Sequence, residues 1–275
     1  MIIRRSWPRQ LLRSFILKTS RSEALYELAR RYAEDFSGEF NPDINTNGEL
    51  RVLRAILEAS GANPVALDVG ANKGEWMQAA LATREDVFVH AFEPCAGSFK
   101  NLEKSGFSPK RVKLNQVAVG AEKGIARLNV FGPDSELNSL LHRADQNGCS
   151  AQQEVEVTTI DDYCASNHIK RIAFLKIDVE GFEPRALNGA ARSFQSESID
   201  AAQFEYGEAW IAARAFLKDV IEWAKPLPYD LYKITPHCLA RVSSYQFKLE
   251  NFRMSNYLLL RRGLNFEGLG PIREA

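Results

Sequence analysis

Along most of the chain, apolar residues fall in short runs that alternate with stretches of helical spacing. Val65, Leu67 and Val69 mark a strand at about 64–70, and Val87 to Phe92 a second at 86–93. Lys110 to Val119 supplies a third through Val112, Leu114 and Val117; Ile172 to Ile177 and Ile199 to Tyr206 give a fourth and a fifth. Runs this short and this apolar suit parallel strands covered on both faces. Between them the spacing predicts helices over 75–83, 96–104, 161–167 and 212–224, with another starting between Phe182 and Gly189. Tyr229 to Thr235 and Tyr257 to Arg261 read as a closing antiparallel pair. Strand and helix in alternation predict an α/β fold, a Rossmann-like doubly wound sheet of seven strands.

Two stretches break the alternation. After strand three, Ile125 to Phe131 alternates, Gly132-Pro133-Asp134 turns, residues 135–153 are polar and loop-like, and Glu154 to Thr159 alternates as a solvent-edged strand. Together they predict a β-rich insertion over the C-terminal edge of the sheet, where ligands bind in such folds. Before strand one, residues 21–36 place Leu25, Leu28, Ala29 and Tyr32 on one stripe, which predicts a helix packed by that stripe. Asn41 to Glu49 is turn-forming; Asn47 is expected to cap the next helix, with Glu49 in its first turn. Leu50, Leu53, Ile56 and Leu57 give that helix a buried stripe, and it ends at Gly61. The chain divides into an N-terminal helical extension (1–45), one large domain (46–263) and a C-terminal tail (264–275).

Composition adds limits. With 275 residues, 45% of them hydrophobic, the chain can bury one sizeable α/β core. Lys+Arg and Asp+Glu number 35 each, and zero net charge argues against a general nucleic-acid binder. The basic residues are unevenly spread: Arg4, Arg5, Arg9, Arg13, Lys18 and Arg21 all precede the first acid, Glu23. With Leu11, Leu12, Phe15 and Ile16 they suggest either a basic amphipathic helix on an anionic membrane surface or a helix packed on the domain. The short segment and its imperfect pattern favour the packed helix. Cys95, Cys149, Cys164 and Cys238 are scattered, so neither a zinc cluster nor a disulfide framework is expected, and reduced thiols in a cytoplasm are the default. No apolar run approaches the roughly 18 residues that span a bilayer, and no secretory signal is clear.

Candidate chemistry sits at the strand ends. Asp68-Val69-Gly70-Ala71-Asn72-Lys73-Gly74 is a strand exit, a tight turn and a helix start. Gly70 and Gly74 let the backbone turn and approach a ligand, and the helix N–H groups face it. Gly70→Val is therefore expected to block a ligand while leaving a folded protein. Glu93 ends strand two beside Pro94, placed to take ribose hydroxyls. The spacing is G-x-x-x-G and not G-x-G-x-x-G, and the acid Asp68 suits a cationic group better than a phosphate. An Asp-x-Gly-x-x-x-Gly turn with an acid after the next strand is the pattern of S-adenosylmethionine methyltransferases. The expected cofactor set is Glu49, Asp68, Gly70, Asn72, Gly74, Glu93, Pro94 and Asp178. Asp178 and Glu180 leave strand four and Glu205 leaves strand five, so the three are the candidate catalytic acids. Asp178 is either a general base for an acceptor hydroxyl or the partner of the cofactor's amino group. Asp178 with Glu205 would suit Mg²⁺, but no third ligand is evident and no metal is expected. Glu183 is expected to pair with Lys176 or Arg185, and His142 and His237 are lesser candidates for the base.

Three blocks together resemble one family. Leu67 to Gly74, Phe92-Glu93-Pro94 and Leu175-Lys176-Ile177-Asp178-Val179-Glu180-Gly181-Phe182-Glu183 look like the signature blocks of the FkbM-type methyltransferases. Thr159-Ile160-Asp161-Asp162 and Asn47-Gly48-Glu49 are also similar, so the resemblance covers about 45–262. The first block is general to methyltransferases; Lys-Ile-Asp-Val-Glu-Gly is the specific one. The resemblance implies a cofactor, S-adenosylmethionine, and O-methylation of a hydroxyl on a sugar, a glycan or a polyketide-like natural product. The alternatives are a catalytically degenerate binding protein of the same fold and an NAD-dependent oxidoreductase, which the glycine spacing disfavours. Neither the acceptor nor the oligomeric state is specified.

Overall fold

The computed structural model describes residues 13–16, 18, 22–132, 135, 137–141 and 148–275. A long helix, α1 (Glu23–Ser37), precedes α2 (Glu49–Ala59). The domain then runs β1 (Val65–Val69), α3 (Glu75–Thr83), β2 (Phe88–Phe92), α4 (Ala96–Lys104) and β3 (Val112–Asn115). An insertion follows, of β4 (Ala118–Val119), β5 (Gly124–Val130) and β6 (Ala151–Thr158). The main sheet resumes through α5 (Ile160–Ser166), β7 (Ile172–Ile177), α6 (Glu183–Asn188), α7 (Ala191–Gln195) and β8 (Ile199–Tyr206). Last come α8 (Ala209–Ala213), α9 (Leu217–Ala224), β9 (Tyr229–Ile234), β10 (Leu239–Arg241), β11 (Ser255–Arg261) and β12 (Ile272–Glu274).

The main sheet has the order β12-β10-β9-β11-β8-β7-β1-β2-β3. Strands β3, β2, β1, β7 and β8 are parallel, and β11 is antiparallel to both β8 and β9. These seven are the predicted doubly wound set; β10 and β12 extend it as a short edge. The chain winds outward from β1 to β3 and then returns to β7 on the other side of β1. A crevice opens at such a reversal, outside the carboxyl ends of the strands.

Alternation explains the unbroken apolar runs. Leu67, Val69, Leu175 and Ile177 face one core, while Ala66 and Phe174 face the other, which α2 and α3 cover. A strand between two helical layers has no polar face.

Several predicted elements change. The third strand splits: β3 stays in the main sheet, and Ala118–Val119 crosses into the three-stranded sheet β4-β6-β5. β6 is the middle of that sheet and not its edge. The 212–224 helix breaks at Arg214, whose φ is +53°, because a new helix start is capped: the Phe216 N–H donates to Asp219 and the Leu217 N–H to Glu250. Gly48 takes the N-cap position of α2, and Asn47 accepts the Glu49 N–H at 2.8 Å from just outside it. The tail is not separate, since β12 pairs with β10 and Phe266 and Leu269 are buried.

The largest departure is α1. Its apolar stripe faces solvent: Leu25, Leu28, Tyr32 and Phe36 are 43–72% exposed. The opposite face, with Glu27, Arg30 and the buried Glu34, is ion-paired and lies toward Arg253 of the domain. Residues 13–16 and 18 are helical and exposed; Leu11 and Leu12 lie outside the described residues. No described helix is long and apolar enough to cross a membrane.

Candidate active site

A cavity of about 560 Å³ opens at the reversal point. Every residue of the expected cofactor set and of the three candidate catalytic acids except Gly74 lines it. Gly74 lies behind, its α-carbon packed towards Leu102 and Met77.

The turn after β1 is pinned to β2. The Gly70 and Ala71 N–H groups donate to the Phe92 carbonyl at 3.0 and 2.9 Å. Gly70 has φ +86°, and a Cβ there would stand 1.8 Å from the Asp178 carbonyl oxygen. The glycine is required by the crossing of β1 and β7 exits, so Gly70→Val would collide with the chain before any ligand. That corrects the expectation of a folded variant.

Glu93 joins the two turns. One carboxylate oxygen accepts the Asn72 N–H at 2.9 Å and the other the Cys95 N–H at 2.8 Å. Burial pushes its carboxyl up to about 7, against those two hydrogen bonds. Asp68 is 1% exposed and neither of its oxygens closes a hydrogen bond of normal geometry, although the Met77 N–H faces the carboxylate and favours its ionised form. Burial raises it to about 6, although Lys176 opposes the shift. The buried Asn72 Oδ1 is also unpartnered. Buried polar atoms in native proteins are normally satisfied, so these orphaned acceptors at a cavity wall mark where a ligand's donors fit. A nucleoside cofactor carrying an ammonium group and a ribose has such donors, and Asp68, Asn72 and Glu93 are the residues that could hold it.

The opposite wall is built by residues 176–183. Lys176, on the fully buried β7, sits level with Asp68 of β1, and its Nζ lies 2.9 Å from Asp178. Burial works against its charge, but Asp178, Asp68 and Glu49 overcome that and push its pKa up. Glu180 and Gly181 both have positive φ, and Glu183 accepts the Val179 and Gly181 N–H groups at 2.8 and 2.9 Å. Glu183 is thus structural, but it braces backbone instead of pairing with Lys176 or Arg185. The insertion clamps the same turn, as the Ser139 hydroxyl donates to the Glu180 carbonyl at 2.8 Å.

Asp178, Glu180 and Glu205 each offer an oxygen within 4.8 Å of the others'. Glu180 is the third ligand that the sequence did not disclose, and a divalent cation could use this set. Burial, then Asp178, Glu180 and Glu183, push Glu205 well above the usual carboxylate range. Glu49 also lines the cavity, but its carboxylate accepts from Asn47 at 2.5 Å, from Asn256 at 3.0 Å and from Gln203. His237 is exposed and outside the cavity lining; His142 lies outside the described residues. Lys176 and Gln203 were not expected at the site. A lysine and a glutamine inside otherwise apolar central strands were the available signal, since buried charges and amides require partners.

The reversal-point crevice, the acid after β2 and the two-glycine turn define a doubly wound protein of the methyltransferase class. The chain belongs to the FkbM methyltransferase family: the Methyltransferase FkbM domain matches residues 68–231. It is 32% identical over 153 residues to the 31-O-demethyl-FK506 methyltransferase FkbM of Streptomyces tacrolimicus, covering 46% of this chain and 58% of that one. It is 28% identical over 161 residues to the hexuronic acid methyltransferase AglP of Haloferax volcanii, covering 58% of this chain and 64% of that one. The matched stretch thus spans less than two thirds of either relative. Among solved structures, a Corynebacterium glutamicum protein aligns at 12% identity with a TM-score of 0.45, over 93% of this chain and 98% of that chain.

Proposed function

We propose that this chain is an S-adenosylmethionine-dependent O-methyltransferase whose acceptor is a hydroxyl of a sugar, a glycan or a polyketide-like natural product. One observation carries the reading: a single cavity has orphaned acceptors beside the Glu93-held turn at one wall and three clustered carboxylates at the other. The family relatives named for 31-O-demethyl-FK506 and for hexuronic acid support the acceptor class. The four free cysteines fit work in a reducing cytoplasm.

When bound, the cofactor supplies an electrophilic methyl group on a sulfonium. The protein's part is to align the acceptor oxygen, exclude water and accept a proton. Asp178 is already paired with Lys176. Glu205 is the carboxyl displaced toward neutrality, so it is the group that takes the hydroxyl proton as the oxygen–carbon bond forms. Asp178 and Glu180 keep that corner of the cavity negative and orient the acceptor.

Calorimetry should show S-adenosylhomocysteine binding and no NAD binding; the reverse would return the chain to the oxidoreductases. With an acceptor found from a panel of glycosides and glycolipids, Glu205→Gln should keep cofactor affinity and lose roughly 10²–10⁴-fold in kcat. Activity should rise with pH as Glu205 ionises, over a range above that of an ordinary carboxylate. Full turnover by Glu205→Gln would remove it as base. Activity abolished by EDTA and restored by Mg²⁺ would replace Glu205 as base with a bound cation at the same three carboxylates.

A further inference from the structure

The cavity wall leaves a donor unused as well as acceptors. Trp76 lines it, is 4% exposed, and its indole Nε1–H has no hydrogen-bond partner. An indole N–H can only donate, and a buried one normally finds an acceptor. Trp210 also carries an unpartnered Nε1–H, but it lies in the apolar core against Phe204 and Tyr206, outside the cavity lining. Of the two, Trp76 alone borders space that a ligand can fill.

This donor stands in the same corner as Asp68. The Met77 N–H, in the first turn of α3 beside Trp76, faces the Asp68 carboxylate, which closes no hydrogen bond of normal geometry. The indole packs on Phe174 with ring centroids 5.2 Å apart. Phe174 pairs with Ala66 across the β7–β1 ladder, and Lys176 pairs with Asp68 two residues further along both strands. Alternation puts Phe174 and Lys176 on one face, together with Ala66 and Asp68. Trp76 and Asp68 are thus neighbours over that face. Lys176, the cation there, is already committed to Asp178 at 2.9 Å. What remains unused is one acid and one N–H, at the positive end of a helix.

An α-amino acid fits such a corner. Its ammonium offers only donors and its carboxylate only acceptors, and one carbon carries both. A phosphate would offer nothing to Asp68 and would be repelled by it. We propose that Asp68 and Trp76 together hold the amino-acid end of the cofactor, with its ammonium on the Asp68 carboxylate and its carboxylate on the Trp76 Nε1–H. The inference rests on the S-adenosylmethionine reading and adds a residue to it. Trp76 selects ligands that keep the carboxylate, because only they satisfy the buried N–H with a charge-assisted hydrogen bond.

The test is titration calorimetry of the full chain with S-adenosylhomocysteine and two analogues, one without the carboxylate and one without the amino group. The wild type should bind each analogue about tenfold or more weakly than the parent. Trp76→Phe keeps a ring on Phe174. It should weaken the parent and the deaminated analogue about tenfold and leave the decarboxylated analogue unchanged. Asp68→Asn should weaken the parent and the decarboxylated analogue and spare the deaminated one. The wild-type comparison needs no variant, and equal affinity for parent and decarboxylated analogue overturns the proposal. So does unchanged affinity for the parent in Trp76→Phe. Equal weakening of all three ligands in a folded Trp76→Phe protein also overturns it, since that would assign the indole to packing. Failure of the wild type to bind S-adenosylhomocysteine would remove the cofactor reading itself, and this inference with it.

Discussion

Glu93 illustrates how one side chain can shape a site and serve it. Its two oxygens accept N–H groups from the turn after β1 and from the start of α4, so the carboxylate fixes both rims. Each oxygen keeps a lone pair for a ligand hydroxyl. Hydrogen bonds to a charged group are worth roughly 1.5–3 kcal/mol. Glu93→Ala should therefore weaken S-adenosylhomocysteine binding on the order of tenfold to a hundredfold, with Glu93→Gln between the two, by titration calorimetry. Wild-type affinity in a folded Glu93→Ala protein would take Glu93 out of the site. Lys176 has the complementary part. It is the cation that Asp178, Asp68 and Glu49 share, and it lets three acids remain near one buried strand end.

At the scale of elements, the site depends on two strand exits crossing at close range. The turn after β1 and the turn after β7 meet where Gly70 faces the Asp178 carbonyl. The Asp178 N–H in turn donates to the Val69 carbonyl at 2.9 Å, which continues the β1–β7 ladder into the loop. Gly70→Ala adds one carbon into backbone and demands φ +86° of a residue that resists it. The ligand-free variant should lose on the order of 3 kcal/mol, or fail to fold, read as the urea midpoint. A wild-type midpoint with lost cofactor affinity would mean that the crowding is with the ligand alone. The insertion acts at this scale too, because Ser139 locks the Glu180 turn from above.

For the whole molecule, the buried carboxyls couple stability to pH. Burial raises Glu93 and Glu183 to about 7 and Asp68 to about 6, above their unfolded values. As pH falls from 8 to 6.5, the folded state takes up protons that the unfolded state does not, so the ligand-free protein gains stability. The gain is on the order of 1 kcal/mol, a few degrees of Tm. Buried His90, lowered to about 4, stays neutral while its unfolded form charges below about 6.5, which offsets part of the gain, but one imidazole is outweighed by the three carboxyls. Under the proposed function, cofactor affinity should move the other way and fall as pH drops through 7 to 6, because carboxylates at Glu93 and Asp68 would hold hydroxyls and an ammonium best when ionised. Differential scanning fluorimetry with and without S-adenosylhomocysteine checks both; a ligand-free Tm that rises from pH 6.5 to 8 would contradict the assignment.

Periodicity and turn chemistry were enough to place the parallel strands, the two-glycine turn, Glu93 and the block from Lys176 to Glu183. Those features are local, and each is written in neighbouring residues as a short apolar run, a left-handed turn or an acid at a strand end. Long-range contacts decided the rest. Ala118–Val119 left the third strand because a second sheet could pair it. Glu180 joined Asp178 and Glu205 only once β7 and β8 lay side by side. Lys176 became the shared cation because the register sets it beside Asp68. The stripe on α1 was legible as amphipathic, but its direction was not. Periodicity records that a helix has two faces; which of them meets the domain depends on partners such as Arg253 and Lys233, more than 190 residues away.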